Sequence, residues 1–247
     1  MISISIVSHG QAELLSALLM DLARIGSQSS FEVILTKNIP EQLAFSVDDF
    51  PFPLRIIENT YAKGFGANHN AAFQQAVGAY FCVMNPDIRI HDNPFPSLLS
   101  AMTAEVAVVA PLIMAPDGRV EDSVRRFPTP FGLFAKLMGV SDGSYALPNH
   151  GKPYPADWVG GMFMLFVSEV YKCVNGFDEA FFLYYEDVDI CTRLWKMRRK
   201  VLANPQVSVI HDARRTSRHN LRYITWHIQS MTRYLSKHWL RFPSSLV

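Results

Sequence analysis

The first hundred residues alternate short apolar runs with amphipathic stretches, and that alternation leaves few folds open. Strands are expected at 2–7, 31–36, 54–57 and 80–84, with helices near 11–25 and 66–77 between them. Strand and helix in repetition make an α/β fold with a mostly parallel central sheet, because parallel neighbours need a crossover and a helix supplies it. Ligands of such sheets sit beyond the carboxyl ends of the strands. Those ends read Ser8-His9-Gly10, Thr36-Lys37-Asn38, Glu58-Asn59 and Asn85-Pro86-Asp87, so polar and turn-forming residues converge on one crevice.

A chain of 247 residues fits one domain with a large core. None of its apolar runs approaches the roughly 18–20 residues that span a bilayer, and Met1 to Val7 lacks the basic start and cleavage site of a signal peptide. The expected address is the cytoplasm. Cys82, Cys173 and Cys191 sit in apolar runs without metal-ligand spacing and read as reduced, packed thiols. The net charge of +1 hides a division: residues 1–192 carry 11 basic and 21 acidic side chains, residues 193–247 carry 12 and 1. A basic tail is either a solvated face or an attraction for an anionic surface such as lipid headgroups or a pyrophosphate, with nucleic acid the least favoured partner.

From about Ala115 to Asp157 the sequence is loop-like, interrupted by the apolar stretch Phe131 to Val140; this stretch is expected to cover the crevice or receive a second substrate. A strand over Trp158 to Phe166 follows, in which Gly160 and Gly161 allow close backbone approach, and then a turn at Asn175 to Glu179. Glu186-Asp187-Val188-Asp189 opens a helix that runs to about Arg199. Three carboxylates there either complement the helix dipole or serve chemistry. On a helix Asp187 shares the face of Ile190, Cys191 and Leu194, whereas Asp189 meets Arg193 four residues on. Asp187 therefore looks inward, ionised near neutral pH and suited to take a proton as a general base, and Glu186 is the residue to orient an acceptor.

Asp87, at a strand end, is either a turn former or a ligand. His211 follows the short apolar strand Val207 to Ile210; it is a structural histidine or, with Asp87, part of an oxygen and imidazole site for Mg2+ or Mn2+ that neutralises a departing diphosphate. Gly64-Phe65-Gly66 lacks the third glycine of a dinucleotide-binding fingerprint, since position 69 is His. Asn68 and Asn70 either cap the helix that follows or hydrogen-bond a nucleotide or sugar.

In order and spacing, Asn59 to Asn70 with Gly64-Phe65-Gly66, Asn85-Pro86-Asp87, Trp158 to Phe166, Gly176-Phe177-Asp178-Glu179, Glu186-Asp187 and His211 resemble the motifs of glycosyltransferase family two. Within it the chain is most similar to bacterial rhamnosyltransferases of O-antigen and cell-surface polysaccharide, a likeness that Ser8-His9-Gly10, Arg125-Arg126-Phe127-Pro128 and Trp226-His227 extend over nearly the whole chain. The resemblance implies a GT-A fold with C-terminal helices facing acceptor and membrane: a nucleotide-sugar half at 1–114, an acceptor and catalytic half at 115–212, and a basic segment at 213–247. It implies an inverting enzyme with Asp187 as base, Asp87 and His211 as metal ligands, and Ser8, Asn59, Gly64, Phe65, Asn68, Asn70, Asn85 and Asp87 around the donor. Trp158, Gly160, Gly161, Arg125, Arg126 and Glu186 fall to the acceptor side. The implied donor is dTDP-β-L-rhamnose and the acceptor a polyprenyl-diphosphate-linked saccharide or glycolipid. Two departures stand out: Asn85 where the metal motif often begins with Asp, and Thr36-Lys37-Asn38 where the second strand usually ends in an Asp near the base.

In the last helix Leu221, Ile224, Ile228, Met231, Leu235 and Trp239 form a stripe expected to be core, with Arg222, Trp226, Arg233 and Lys237 on the other face as a peripheral contact for an anionic membrane. Arg125, Arg126, Phe131, Phe134 and Leu137 are second candidates for that contact. Three alternatives stand beside the rhamnosyltransferase: another inverting hexosyl- or acetamidosugar transferase using a UDP-sugar, a non-catalytic carbohydrate-binding protein on a degenerate GT-A fold, and a nucleotidyltransferase. The last would need a glycine-rich basic loop after the first strand, which Ser8-His9-Gly10-Gln11 does not supply.

Overall fold

The computed structural model describes residues 1–26, 29–132, 138–139, 143–144, 151–212, 221–239 and 243. Phe134 and Leu137 lie outside the described residues, as does the side chain of Leu221. The strands are β1 (Ile2–Ser8), β2 (Phe31–Lys37), β3 (Leu54–Glu58), β4 (Tyr80–Met84), β5 (Ile88–Arg89), β6 (Val106–Met114), β7 (Val124–Arg125), β8 (Tyr154–Pro155), β9 (Trp158–Val159), β10 (Phe163–Val167) and β11 (Lys200–His211). The helices are α1 (Ala12–Ile25), α2 (Phe65–Phe73), α3 (Phe95–Ser100), α4 (Ser168–Cys173), α5 (Glu186–Lys196) and α6 (Leu221–His238).

The main sheet has nine strands, in the order β3-β2-β1-β4-β10-β6-β11-β5 with β8 also on β11. The pairs of β1 with β2 and β4, β2 with β3, and β6 with β11 are parallel, as the alternation requires. β10 runs against both β4 and β6, so the long strands on either side of it share one direction. The expected single strand from Trp158 to Phe166 is two strands. Gly160 and Gly161 break it, sending β9 into a ribbon with β7 and β10 into the main sheet.

Two apolar layers cover the sheet. On one face Ile2, Ile4 and Ile6 meet Leu15, Leu18, Leu19 and Leu22 of α1, each buried leucine contributing about 1.5–3 kcal/mol of transfer free energy. On the other Phe81, Val83, Met164 and Phe166 meet Tyr171, Phe177, Ile190, Cys191, Leu194 and Tyr234. The first strand is not half-buried as its Ile/Ser alternation predicts. Ser3 and Ser5 are fully buried, because Ser3 donates to Glu32 Oε1 at 2.6 Å and Ser5 Oγ meets His69 Nδ1 of α2 at 2.8 Å.

Candidate active site

The catalytic candidates sit where the chain turns into α5. Tyr184 and Tyr185 both take left-handed backbone angles, φ 70° and 67°, and this double bend swings the helix start toward the turn between β9 and β10. There the Gly161 N–H donates to Asp187 Oδ2 at 3.0 Å, and the Val188 N–H to Oδ1 at 2.8 Å. A Cβ at Gly161 would lie 3.2 Å from the Phe65 ring and 3.8 Å from Asp187 Cβ, so this glycine is where α2, β10 and α5 meet. Burial raises the Asp187 carboxyl above its ordinary value, against the pull of those backbone donors. Glu186 is 5 % exposed, and burial followed by the Asp187 charge pushes its carboxyl well above the usual range. Its Oε2 has no hydrogen-bond partner among the described residues. Of the pair, the upward push is the stronger on Glu186, which leaves Asp187 the readier of the two to be ionised.

These two carboxylates open into a cleft of about 840 Å³ that also touches Phe65, Asn85, Arg125, Arg126, Trp158 and Gly161. Trp158 Nε1 donates to the Arg126 carbonyl at 2.9 Å, and the Gly160 N–H to Ser123 at 2.8 Å, which fixes the β7–β9 ribbon as the rim. Arg125 pairs with Asp122 at 3.2 Å. His227 of α6 reaches the same cleft, its ring 5.4 Å from each of Tyr184 and Tyr185. Sequence reasoning gave His227 no role, because nothing local marks a helix 40 residues on as a wall of this cleft.

On the side expected to hold the donor the amides are occupied with one another. Asn59 donates to Asn38 Oδ1 at 3.0 Å and Asn68 Oδ1 at 2.7 Å, while Asn68 donates to Gly64 O at 3.0 Å. Together they shape the loop before α2, beside a hollow of about 380 Å³ lined by Lys37, Glu41, Glu58 and Asn59. Asn70 is taken up elsewhere: its amide donates to Phe177 O and Glu179 and accepts from Tyr171 and the Phe177 N–H, which leaves no polar group for a donor sugar. The Ser8 side chain is fully buried, its Oγ accepting from the Gln11 N–H at 3.2 Å, so the expected meeting with a nucleotide is not open to its hydroxyl. Gly64 lies against the Phe182 backbone, where a Cβ would stand 2.7 Å from the carbonyl oxygen, and the Phe65 N–H donates to that oxygen at 2.9 Å.

Asp87 and His211 do come together. β11 pairs with β5 so that His211 stands opposite Ile88, and His211 Nε2 lies 3.4 Å from Asp87 Oδ1. On the far side of the ring, Nδ1 lies 2.8 Å from Glu121 Oε2. Burial lowers the His211 pKa, but the Asp87 and Glu121 carboxylates outweigh it and leave it raised. Asp87 Oδ1 has no hydrogen-bond partner among the described residues. A buried oxygen and an imidazole nitrogen separated by 3.4 Å can both touch one small cation with ligand distances of about 2.1 Å. The pair can give a divalent ion two ligands, and among the described residues no third carboxylate, imidazole or thiol completes a protein-only site.

The C-terminal helix differs from expectation on both faces. Ile224, Ile228 and Trp239 are 46 %, 53 % and 56 % exposed, so these members of the expected stripe are not core, whereas Leu235 packs against it; the fully buried positions are Ser230, Tyr234 and His238. Lys237 is not a free membrane cation but bonds Asp178 at 2.6 Å and Asp189 at 2.7 Å. Asp189, fully buried, also takes Arg193 at 2.7 Å and His238 at 2.8 Å. Tyr234 meets Thr192 at 2.9 Å, and Ser230 donates to Leu183 O at 2.9 Å. Arg222 lies over the Trp226 ring at 4.8 Å, and Arg233 is exposed beside a groove with Trp226 and Ile228.

Residues 3–173 match the family described as Glycosyl transferase family 2. Rhamnosyltransferase WbbL of Escherichia coli (strain K12) is 26% identical over 249 residues, 96% of this chain and 93% of that protein. The N-acetylglucosaminyl-diphospho-decaprenol L-rhamnosyltransferase of Mycobacterium tuberculosis (strain H37Rv among them) is 29% identical over 184 residues, 68% of this chain and 59% of its own. Among solved structures, GalNAc-T7 with UDP, GalNAc and Mn2+ superposes with a TM-score of 0.71 at 14% identity, over 95% of this chain and 47% of that one. Mannosyltransferase PcManGT from Pyrobaculum calidifontis with GDP-Man and Mn2+ gives 0.65 at 14% identity, over 98% of this chain and 65% of that one. At such identity the likeness establishes the fold alone, and that fold is GT-A.

Proposed function

The chain belongs to glycosyl transferase family 2, and from that premise we propose that it transfers L-rhamnose from dTDP-β-L-rhamnose, with inversion, to a lipid-diphosphate-linked saccharide. The observation that carries the reaction type is the Asp187 carboxylate, held by the Gly161 and Val188 N–H groups at the mouth of a cleft of about 840 Å³. An inverting displacement needs one base and no protein nucleophile. Asp187 takes the proton of the acceptor hydroxyl as its oxygen bonds the anomeric carbon, and the bond to the diphosphate breaks on the opposite face, so a β-donor gives an α-rhamnoside. Glu186, protonated, can donate a hydrogen bond to the acceptor. Trp158, Arg125, Arg126 and His227 form the surroundings in which the acceptor sugar and its phosphates would lie.

Asp87 and His211 would hold Mg2+ or Mn2+, which supplies charge neutralisation for the departing nucleoside diphosphate. Asn85 at the cleft and the Asn38, Asn59 and Asn68 loop face the donor from the sheet. The rhamnose assignment rests on the two rhamnosyltransferases named above, and the lipid-linked acceptor on the mycobacterial one. For the membrane, Arg222, Arg233 and Trp226 with the exposed Ile224, Ile228 and Trp239 form a basic and apolar surface suited to a headgroup layer. The reading is of a peripheral protein on the cytoplasmic side; among the described residues no helix is long and apolar enough to cross a membrane.

The test is nucleoside diphosphate release by the purified protein with Mg2+ or Mn2+, a polyprenyl-diphosphate-linked N-acetylglucosamine acceptor, and dTDP-rhamnose or UDP-sugars in parallel. Acceptor-dependent release from dTDP-rhamnose is the expected result. Release from a UDP-sugar alone would keep the mechanism and discard rhamnose, and a Kd for these donors without turnover would favour the carbohydrate-binding alternative.

A further inference from the structure

The turn after β6 carries no motif, yet it delivers a carboxylate to the cation pair. Gly118, at φ 81°, lets the chain reverse, with the Ala115 N–H on Arg119 O at 2.7 Å and the Gly118 N–H on Ala115 O at 2.9 Å. The returning strand is pinned by a bridge between Val120 and Met114 and by the Glu121 N–H on Ile113 O at 2.8 Å. β11 runs beside β6 with Ile210 opposite Met114, so Glu121 arrives next to His211. On the other side of the histidine the Asp212 N–H donates to Asp87 O at 2.8 Å. His211 is thus held between two carboxylates from segments 34 residues apart in sequence, Glu121 at 2.8 Å from Nδ1 and Asp87 at 3.4 Å from Nε2.

We propose that Glu121 is a positioning residue for the metal site: by accepting a hydrogen bond from the Nδ1–H of His211, it turns the Nε2 lone pair toward Asp87 and a bound divalent cation. The inference rests on the reading of Asp87 and His211 as cation ligands. The two ring nitrogens point to opposite sides of the imidazole, so Glu121, sitting on Nδ1, cannot share the ion and acts only through the ring. With the proton fixed on Nδ1, Nε2 and Asp87 Oδ1 face each other as two acceptors 3.4 Å apart, an arrangement that a cation relieves. Carboxylates that orient metal-bound histidines in this way typically change metal affinity about 10–100-fold when removed.

The experiment measures Mn2+ affinity by the loss of its free-ion electron paramagnetic resonance signal, in the presence of dTDP or UDP, for the wild type and for Asp87→Ala, His211→Ala, Glu121→Ala and Glu121→Gln. Expected are no measurable site in the first two variants, a roughly 10–100-fold weaker site in Glu121→Ala, and near-complete rescue in Glu121→Gln, whose amide oxygen still accepts from Nδ1. Wild-type affinity in Glu121→Ala, with Asp87→Ala silent, would overturn the role of Glu121 while leaving the metal site intact. No Mn2+ binding by the wild type would overturn both. Long-range proton–nitrogen correlation of neutral His211 in the wild type tests the same point without a variant: the proton is expected on Nδ1, and a proton on Nε2 would end the proposal.

Discussion

Asp187 and Asp189 lie two residues apart in the first turn of α5, one facing the cleft and the other facing α6. Asp187 is met by the N–H groups of Gly161 and Val188. Asp189 is met by Arg193, Lys237 and His238, all side chains that carry or can carry positive charge. Peptide N–H groups hold a carboxylate in place without cancelling its charge, so Asp187 keeps its basicity, raised by burial. Cations fix their partner and quench it. Burial alone would raise the Asp189 carboxyl, but His238, Arg193 and Lys237 bring it down to about 2. The same residue type in the same turn is left with a raised pKa or pinned as a rivet according to what donates to it.

Removing each carboxylate's charge in turn separates the two most strongly. Asp187→Asn is expected to lower kcat about 10²–10⁴-fold with donor Kd and Tm near wild type; turnover within threefold of wild type would remove Asp187 from the chemistry. Asp189→Asn should leave buried cations uncompensated and lower stability by about 3–5 kcal/mol in urea titration. An unchanged midpoint there would mean that the contacts with α6 are dispensable.

pH separates the two faces next. Asp189 has a folded pKa depressed to about 2, so its contribution is complete above the unfolded value near 3.9 and is lost as pH falls through the folded one. Stability should therefore decline between about pH 4 and 2 in the wild type and decline less in Asp189→Asn. Asp187 is shifted upward, so kcat/KM should fall on the acid side at a pH above the ordinary aspartate range, and a limb at or below that range would contradict the burial argument. The smallest effect is expected in the tail. Charge reversal at Arg233 should weaken binding to anionic liposomes with little change in Tm, whereas Lys237→Glu, which attacks the Asp178 and Asp189 bonds, should lower Tm; equal behaviour of the two would erase the distinction between the faces of α6.

What the sequence made legible follows the range of the forces involved. β1 to β4 and α1 are readable because apolar periodicity is local, the inward direction of Asp187 because helical spacing is local too, and the meeting of Asp87 with His211 because each closes a short apolar strand. Asp189 with Arg193 is readable for the same reason, as a spacing of four. The tail misled because its apolar letters lie at the edge of the buried face, while Ser230, Tyr234 and His238 carry that face through Leu183 O, Thr192 and Asp189, partners far away in the chain. Glu121 had no local signal at all: only the pairing of β6 with β11 brings it to His211.

Tyr184 and Tyr185, consecutive and both left-handed, are conformations that cost an L-residue roughly 1–2 kcal/mol each. The bend just before Asp187 is therefore a loaded spring, and its catch lies in α6: Ser230 on Leu183 O, His227 against both tyrosine rings, and Tyr234 5.5 Å from the second. Through these contacts α6 braces the turn that leads into Asp187, so trimming the chain back toward β11 is expected to let Asp187 swing away from Gly161 before it melts the sheet.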